Sequence, residues 1–154
     1  MRSVILAVGF VVAALFGGAA AAQGATSPKA VLEEIYAQYA GNGPDEVSYY
    51  SDSLKALLAA EQERTPVGEV GALDFSPFIN GQDWAGLQFA IGEPVVNGDS
   101  ATANVDILGA RPQSVIITLI RQADGWKVDD IIGQEAGVES WRLSELLAED
   151  PLLN

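Results

Sequence analysis

Cysteine and histidine are both missing from this chain of 154 residues. Without cysteine there is no disulfide, no lipid-modified N-terminal cysteine and no thiol nucleophile. Without histidine, neither Ser-His-Asp nor Cys-His machinery can be assembled, and zinc sites of the usual His or Cys type are excluded. Acid–base chemistry therefore falls to Asp, Glu, Tyr or Lys, and a metal site would be all-oxygen, suited to calcium or magnesium. Basic residues are scarce as well: eight Lys and Arg stand against 21 Asp and Glu, a formal net charge of −13. Such a surface repels phosphate backbones, which argues against nucleic acid as a partner, and it disfavours anionic membrane surfaces. No cofactor is expected from these residues.

What the chain does have begins at its N-terminus. Arg2 precedes an uncharged apolar run from Val4 to Phe16, and Ala20-Ala21-Ala22 fits an A-x-A cleavage pattern before Gln23. Residues 1–22 read as a secretory signal peptide, so the protein is expected to be periplasmic or secreted after cleavage near Ala22, with no stable membrane association thereafter. Removing that segment takes Arg2 with it and leaves seven basic against 21 acidic residues. Residues 23–27 read as a flexible leader, 28–148 as a single domain of a size that buries a real core, and 149–154 as a tail.

Ser27-Pro28 has the form of an N-cap followed by proline at the first helical position. Val31, Leu32, Ile35, Tyr36 and Tyr39 then make one apolar stripe, ended by Gly41-Asn42-Gly43-Pro44. Ser51 or Asp52 caps a second helix that buries Leu54, Leu57 and Leu58 and stops before Thr65-Pro66. Residues 66–85 form a long irregular segment, too apolar at Leu73, Phe75, Phe78, Ile79 and Trp84 to stay solvated. Then come four expected strands: Leu87 to Val96, Ala101 to Leu108, Ser114 to Arg121 and Trp126 to Ile132. Asn97-Gly98 and Asp124-Gly125 serve as hairpin turns. Glu139 to Leu147 is expected to be a short C-terminal helix. The fold class that follows is α+β: N-terminal helices packed on a bent, cone-like antiparallel meander, with a short C-terminal helix. Ser114 to Arg121 is apolar on both faces, which predicts cover on both, by the helices on one side and by the C-terminal helix, a second copy or a ligand on the other.

Two helices, a loop and an antiparallel meander closing on Asp124-Gly125-Trp126-Lys127-Val128-Asp129-Asp130-Ile131 resemble the nuclear-transport-factor-2-like cone superfamily. That superfamily includes ketosteroid-isomerase-like and polyketide-cyclase-like proteins. The segment from Leu73 to Trp84, with Tyr50-Ser51 opening the second helix, resembles a group of exported bacterial proteins catalogued as domain of unknown function 3828. The resemblance spans about residues 28 to 148 and implies a fold and a compartment. It implies no single activity, because the cone hosts enzymes, carriers and dimerisation modules.

Three candidate sites follow. Asp130 shares strand parity with Trp126 and Val128, so it is expected to point inward towards Tyr36 and Tyr39. A carboxylate there could act as a base while a tyrosine hydroxyl stabilises an oxyanion, as in an isomerase or dehydratase. Against this, Asp130 could simply hold backbone amides at a strand end while the tyrosines fill the core. Glu69, Asp74, Asn80 and Asp83 are oxygen ligands of the right type for calcium, though their spacing matches no known calcium loop, and Asp74 and Asp83 equally suit turn caps. Phe75, Phe78 and Trp84, with Asp83, could line a pocket mouth or a protein interface, or could anchor their own loop. The leading expectation is a non-enzymatic domain that binds a small apolar ligand or a protein partner. An enzyme of the kind just named and a homodimeric interaction module are the alternatives.

Overall fold

The computed structural model describes residues 27–149. The expectations for the signal peptide, the cleavage site and the tail from residue 150 lie outside these residues. Helix α1 (Pro28–Ala37) starts as its sequence suggests: the Ser27 side chain accepts the Ala30 amide and Pro28 occupies the first turn. A 3-10 turn (Gln38–Ala40) ends it. A short helix α2 (Glu46–Tyr49) follows, and then α3 (Asp52–Arg64), capped by the Ser51 hydroxyl on the Leu54 amide at 3.1 Å.

Six strands form one antiparallel sheet: β1 (Gln88–Ile91), β2 (Val95–Asn97), β3 (Ser100–Leu108), β4 (Gln113–Gln122), β5 (Gly125–Glu135) and β6 (Val138–Arg142). Their order is β1-β3-β4-β5-β6, with β2 on the same edge of β3 as β1. Helix α4 (Leu143–Ala148), the last described element, packs on α3, β5 and β6. The fold is thus α+β, with helices packed on an antiparallel sheet and a short C-terminal helix.

Two expected elements differ. The single strand from Leu87 to Val96 is split, because Pro94 has no amide to give the ladder and Gly92 runs against β3. The Gly92 amide donates to the Asn104 carbonyl at 2.8 Å, and a Cβ on Gly92 would stand 2.9 Å from that oxygen. The expected helix from Glu139 begins only at Leu143. Ala136 and Gly137 both take positive φ and turn the chain back, so Val138 to Arg142 becomes β6. Gly133 on the neighbouring strand makes room: a Cβ there would stand 2.1 Å from the Trp141 indole.

Strand β3 alternates cleanly, burying Ala101, Ala103, Val105 and Ile107. Val115, Ile117 and Leu119 of β4, with Trp126, Val128 and Ile131 of β5, continue this inner face against Leu32, Ile35 and Leu54 of the helices. Each such side chain contributes roughly 1.5–3 kcal/mol by leaving water.

Candidate functional site

The inner side of the sheet is occupied by aromatic residues of α1 and the 65–87 loop. Tyr36 is buried, and its hydroxyl donates to the Phe78 carbonyl at 2.8 Å. Phe78 is fully buried, stacked on Tyr50 at 6.0 Å and edge-on to Tyr36 at 6.3 Å. Ile79 is buried beside it. Trp84 packs edge-on against Tyr39, and its indole N–H donates to the Gly41 carbonyl at 3.3 Å. Phe75 packs edge-on against Trp141 at 5.1 Å. The residues expected to line a pocket mouth thus fasten the loop to the fold, Phe78 most completely, because burying their area against α1 and the sheet outweighs leaving it in water.

The tyrosines meet a carboxylate, but it is not Asp130. Glu46, in the first turn of α2, is the hub. The Tyr39 hydroxyl lies 3.2 Å from Glu46 Oε1 and 3.0 Å from Ser76 Oγ, and Ser76 Oγ also donates to Glu46 Oε1. The Tyr50 hydroxyl also lies near this carboxylate and favours its charged form. Burial raises the Glu46 carboxyl above its ordinary value, opposed by the hydroxyls of Ser76, Tyr39 and Tyr50. Burial likewise pushes Tyr36, Tyr39 and Tyr50 upward, so these hydroxyls keep their protons at neutral pH. A carboxyl with a raised pKa among phenols has the residue types of a general base. Here, however, its hydroxyl donors belong to the protein itself, and they tie α1, α2, the start of α3 and the loop together. Nothing in the apolar periodicity points to Glu46; its only sequence signal is the helix start at Pro44-Asp45-Glu46, which says nothing of its direction.

A β-bulge redirects Asp130. Leu119 pairs with Val128 while Thr118 pairs with Asp130, so Asp129 is an extra residue and the inward parity ends at Val128. Asp129 instead accepts the Ser51 hydroxyl at 2.6 Å. Asp130 faces the start of α4: it accepts the Ser144 amide at 3.0 Å and the Ser144 hydroxyl at 2.7 Å, and it pairs with Arg142 at 3.4 Å. It therefore caps a helix and touches neither Tyr36 nor Tyr39. The expected base–tyrosine pairing is corrected accordingly.

The oxygen ligands proposed for calcium also part ways. Asp83 accepts the Ala85 amide at 2.9 Å in a turn, and Asp74 and Glu69 are exposed. Asn80, held at φ 48°, accepts the Trp141 indole N–H at 2.8 Å and donates to Gln113 at 2.6 Å. Among the described residues, no three acidic side chains gather into a metal-binding group.

The outer face of the sheet is built differently. Register places Asn104, Ile116, Ile132 and Arg142 in one row, Thr102, Thr118 and Asp130 in the next, and Ser100, Ile120 and Lys127 beyond. Along β4 this face reads Ser114, Ile116, Thr118, Ile120: uncharged and half-buried throughout. Charges flank it on both sides, Asp106 on β3 and Lys127, Asp130 and Arg142 on β5 and β6. Helices α1 and α3 and the aromatic loop lie against the other face, while the start of α4 meets Asp130.

No family model and no curated protein matches this chain. Among solved structures, a chain from the crystal structure of the type VI native effector-immunity complex Tae3-Tai3 from Ralstonia pickettii is similar. It is 22% identical, with 75% of this chain and 97% of that chain covered and a TM-score of 0.48. A likeness at that level carries no argument about what this chain does.

Proposed function

We propose that this chain is an exported, non-enzymatic protein-binding domain that works through the outer face of its sheet. The observation that carries this is the uncharged band of Ser114, Ile116, Thr118 and Ile120, joined by Ile132, on the face turned away from α1 and α3. An apolar centre with a charged rim is the anatomy of a protein interface. The rim carries Asp106 on one side of β4 and, on the other, Lys127 paired with Asp124 and Arg142 paired with Asp130, Glu139 and Glu145. Two copies turned face to face about an axis along β4 would lay one uncharged band on the other, so a second copy is the first partner to test. The interior supports the non-enzymatic side of the proposal, because Phe78, Ile79 and the tyrosines occupy the space a small apolar ligand would take. The order of helices, loop and antiparallel strands supports the resemblance to the cone superfamily, and the Ala20-Ala21-Ala22 pattern supports export.

Light scattering on the purified protein tests this. The expected result is a dimer mass at about 100 μM that falls to the monomer mass in Ile116→Lys, with the melting temperature nearly unchanged. A monomer at that concentration overturns self-association through this face.

A further inference from the structure

Away from the sheet, one buried acid lacks a counter-charge. Glu61, near the end of α3, is only 6% exposed. Its Oε1 accepts the Ala72 amide at 2.7 Å and the Thr65 hydroxyl at 2.9 Å. Among the described residues, Oε2 receives no donor, and no Lys or Arg comes within ion-pair distance of either oxygen. The loop backbone presses against this carboxylate at Gly71, where a Cβ would stand 2.7 Å from Oε1 and 3.2 Å from Oε2. A buried carboxylate in this position is ordinarily matched by a cation.

Glu61 forms the wall of a cleft of about 320 Å³ between α3 and the loop. Glu69 supplies a second carboxylate, Gln62 and Thr65 supply polar groups, and Leu58 and Leu73 supply aliphatic surface; no basic side chain lines it. That volume sits at the small end of ligand sites, the scale of one long side chain. A lining that holds two acids and two leucines matches a cationic head on a methylene stem. Val67 and Val70, at 107% and 78% exposure, lie either side of Glu69 in the same loop and offer apolar surface to a partner protein. The excess of acidic residues over the whole chain draws cationic partners towards it.

We propose that this cleft receives a lysine or arginine side chain of a basic protein partner, with Glu61 and Glu69 as the charge acceptors. This site is separate from the outer sheet face and stands whether or not the chain dimerises. The test is amide chemical-shift titration of the ¹⁵N-labelled protein at low salt with Nα-acetyl-lysine amide and Nα-acetyl-arginine amide. The Ala72 amide, which donates to Glu61, is the reporter. The expected result is a saturable shift from at least one cationic probe, none from the uncharged norleucine analogue, and affinity weakened about tenfold in Glu61→Gln. Glu69→Gln lies on an exposed loop and carries the test if Glu61→Gln fails to fold; it too is expected to weaken binding. Four results would overturn the proposal: no saturable shift up to about 50 mM probe; equal shifts from norleucine; saturation of the same amides by calcium chloride but not by the probes; or 1,5-diaminopentane binding about tenfold tighter than both side-chain probes, which would make a free amine the ligand.

Discussion

The two faces of the sheet follow opposite rules. On the inner face the aromatic groups around the loop are matched to one another, although the Trp126 indole N–H is buried without a partner: Phe78 stacks on Tyr50, Tyr36 donates to Phe78, and Tyr39 and Ser76 converge on Glu46. On the outer face the central strand carries isoleucines that stay half-buried and hydroxyls with few internal obligations. The lesson concerns where a function can reside. A region whose donors, acceptors and aromatic surfaces satisfy one another stabilises the fold and has little left for a ligand. A region that keeps uncharged surface within reach of solvent retains free energy for association.

That contrast can be broken by substitution. The largest effect is expected at Phe78→Ala, which removes a fully buried ring from between Tyr36 and Tyr50; chemical denaturation should show a loss of about 3–5 kcal/mol. Glu46→Ala should come next, a loss of about 1–3 kcal/mol, because the tyrosine and serine hydroxyls lose their shared acceptor. Asp130→Ala should remove the cap of α4 and lower stability by about 1 kcal/mol, read by denaturation and by faster amide exchange in Leu143–Ala148. The smallest effect on folding is expected at Ile116→Lys on the outer face, a change within about 0.5 kcal/mol. If Ile116→Lys destabilised the monomer as much as Phe78→Ala, the two faces would not differ as described.

The pH dependence sharpens the same contrast. Burial raises the folded Glu46 carboxyl above its ordinary value of 4.5, so the folded state binds that proton more tightly than the unfolded state. Stability from this group is therefore full below the unfolded value and declines as pH rises through the folded one. Melting curves of the parent protein and Glu46→Gln, compared from pH 4 upward, should show the parent losing ground to the variant over that window. A constant difference across the range would mean that Glu46 does not ionise against burial.

Much of this architecture is written in short stretches of sequence. Ser27-Pro28 and Ser51 cap helices because a side-chain oxygen meets an amide three residues on, a contact that needs no other part of the chain. The alternation from Ala101 to Ile107 specifies a half-buried strand, and Asn97-Gly98 turns the chain into it. The candidate site was far less legible. Asp130 has inward parity if β5 is regular, and one bulged residue, set by pairing with β4, turns it to the helix end instead. Glu139 to Arg142 has helix-compatible composition, but Gly133 on the neighbouring strand gives the Trp141 ring a place to lie and the segment pairs as β6. Glu46 is indistinguishable in sequence from a solvated acid until Tyr39, Tyr50 and Ser76 arrive from three other segments. Capping, alternation, turn chemistry and the exclusion of thiol and imidazole chemistry belong to the sequence alone, because they depend on residue type or on neighbours a few positions away. Which carboxylate is buried among the tyrosines, and which face of the sheet stays open, belong to tertiary structure, because burial and pairing register need groups far along the chain: Ser76 reaches Glu46 from 30 residues away and Phe78 reaches Tyr36 from 42.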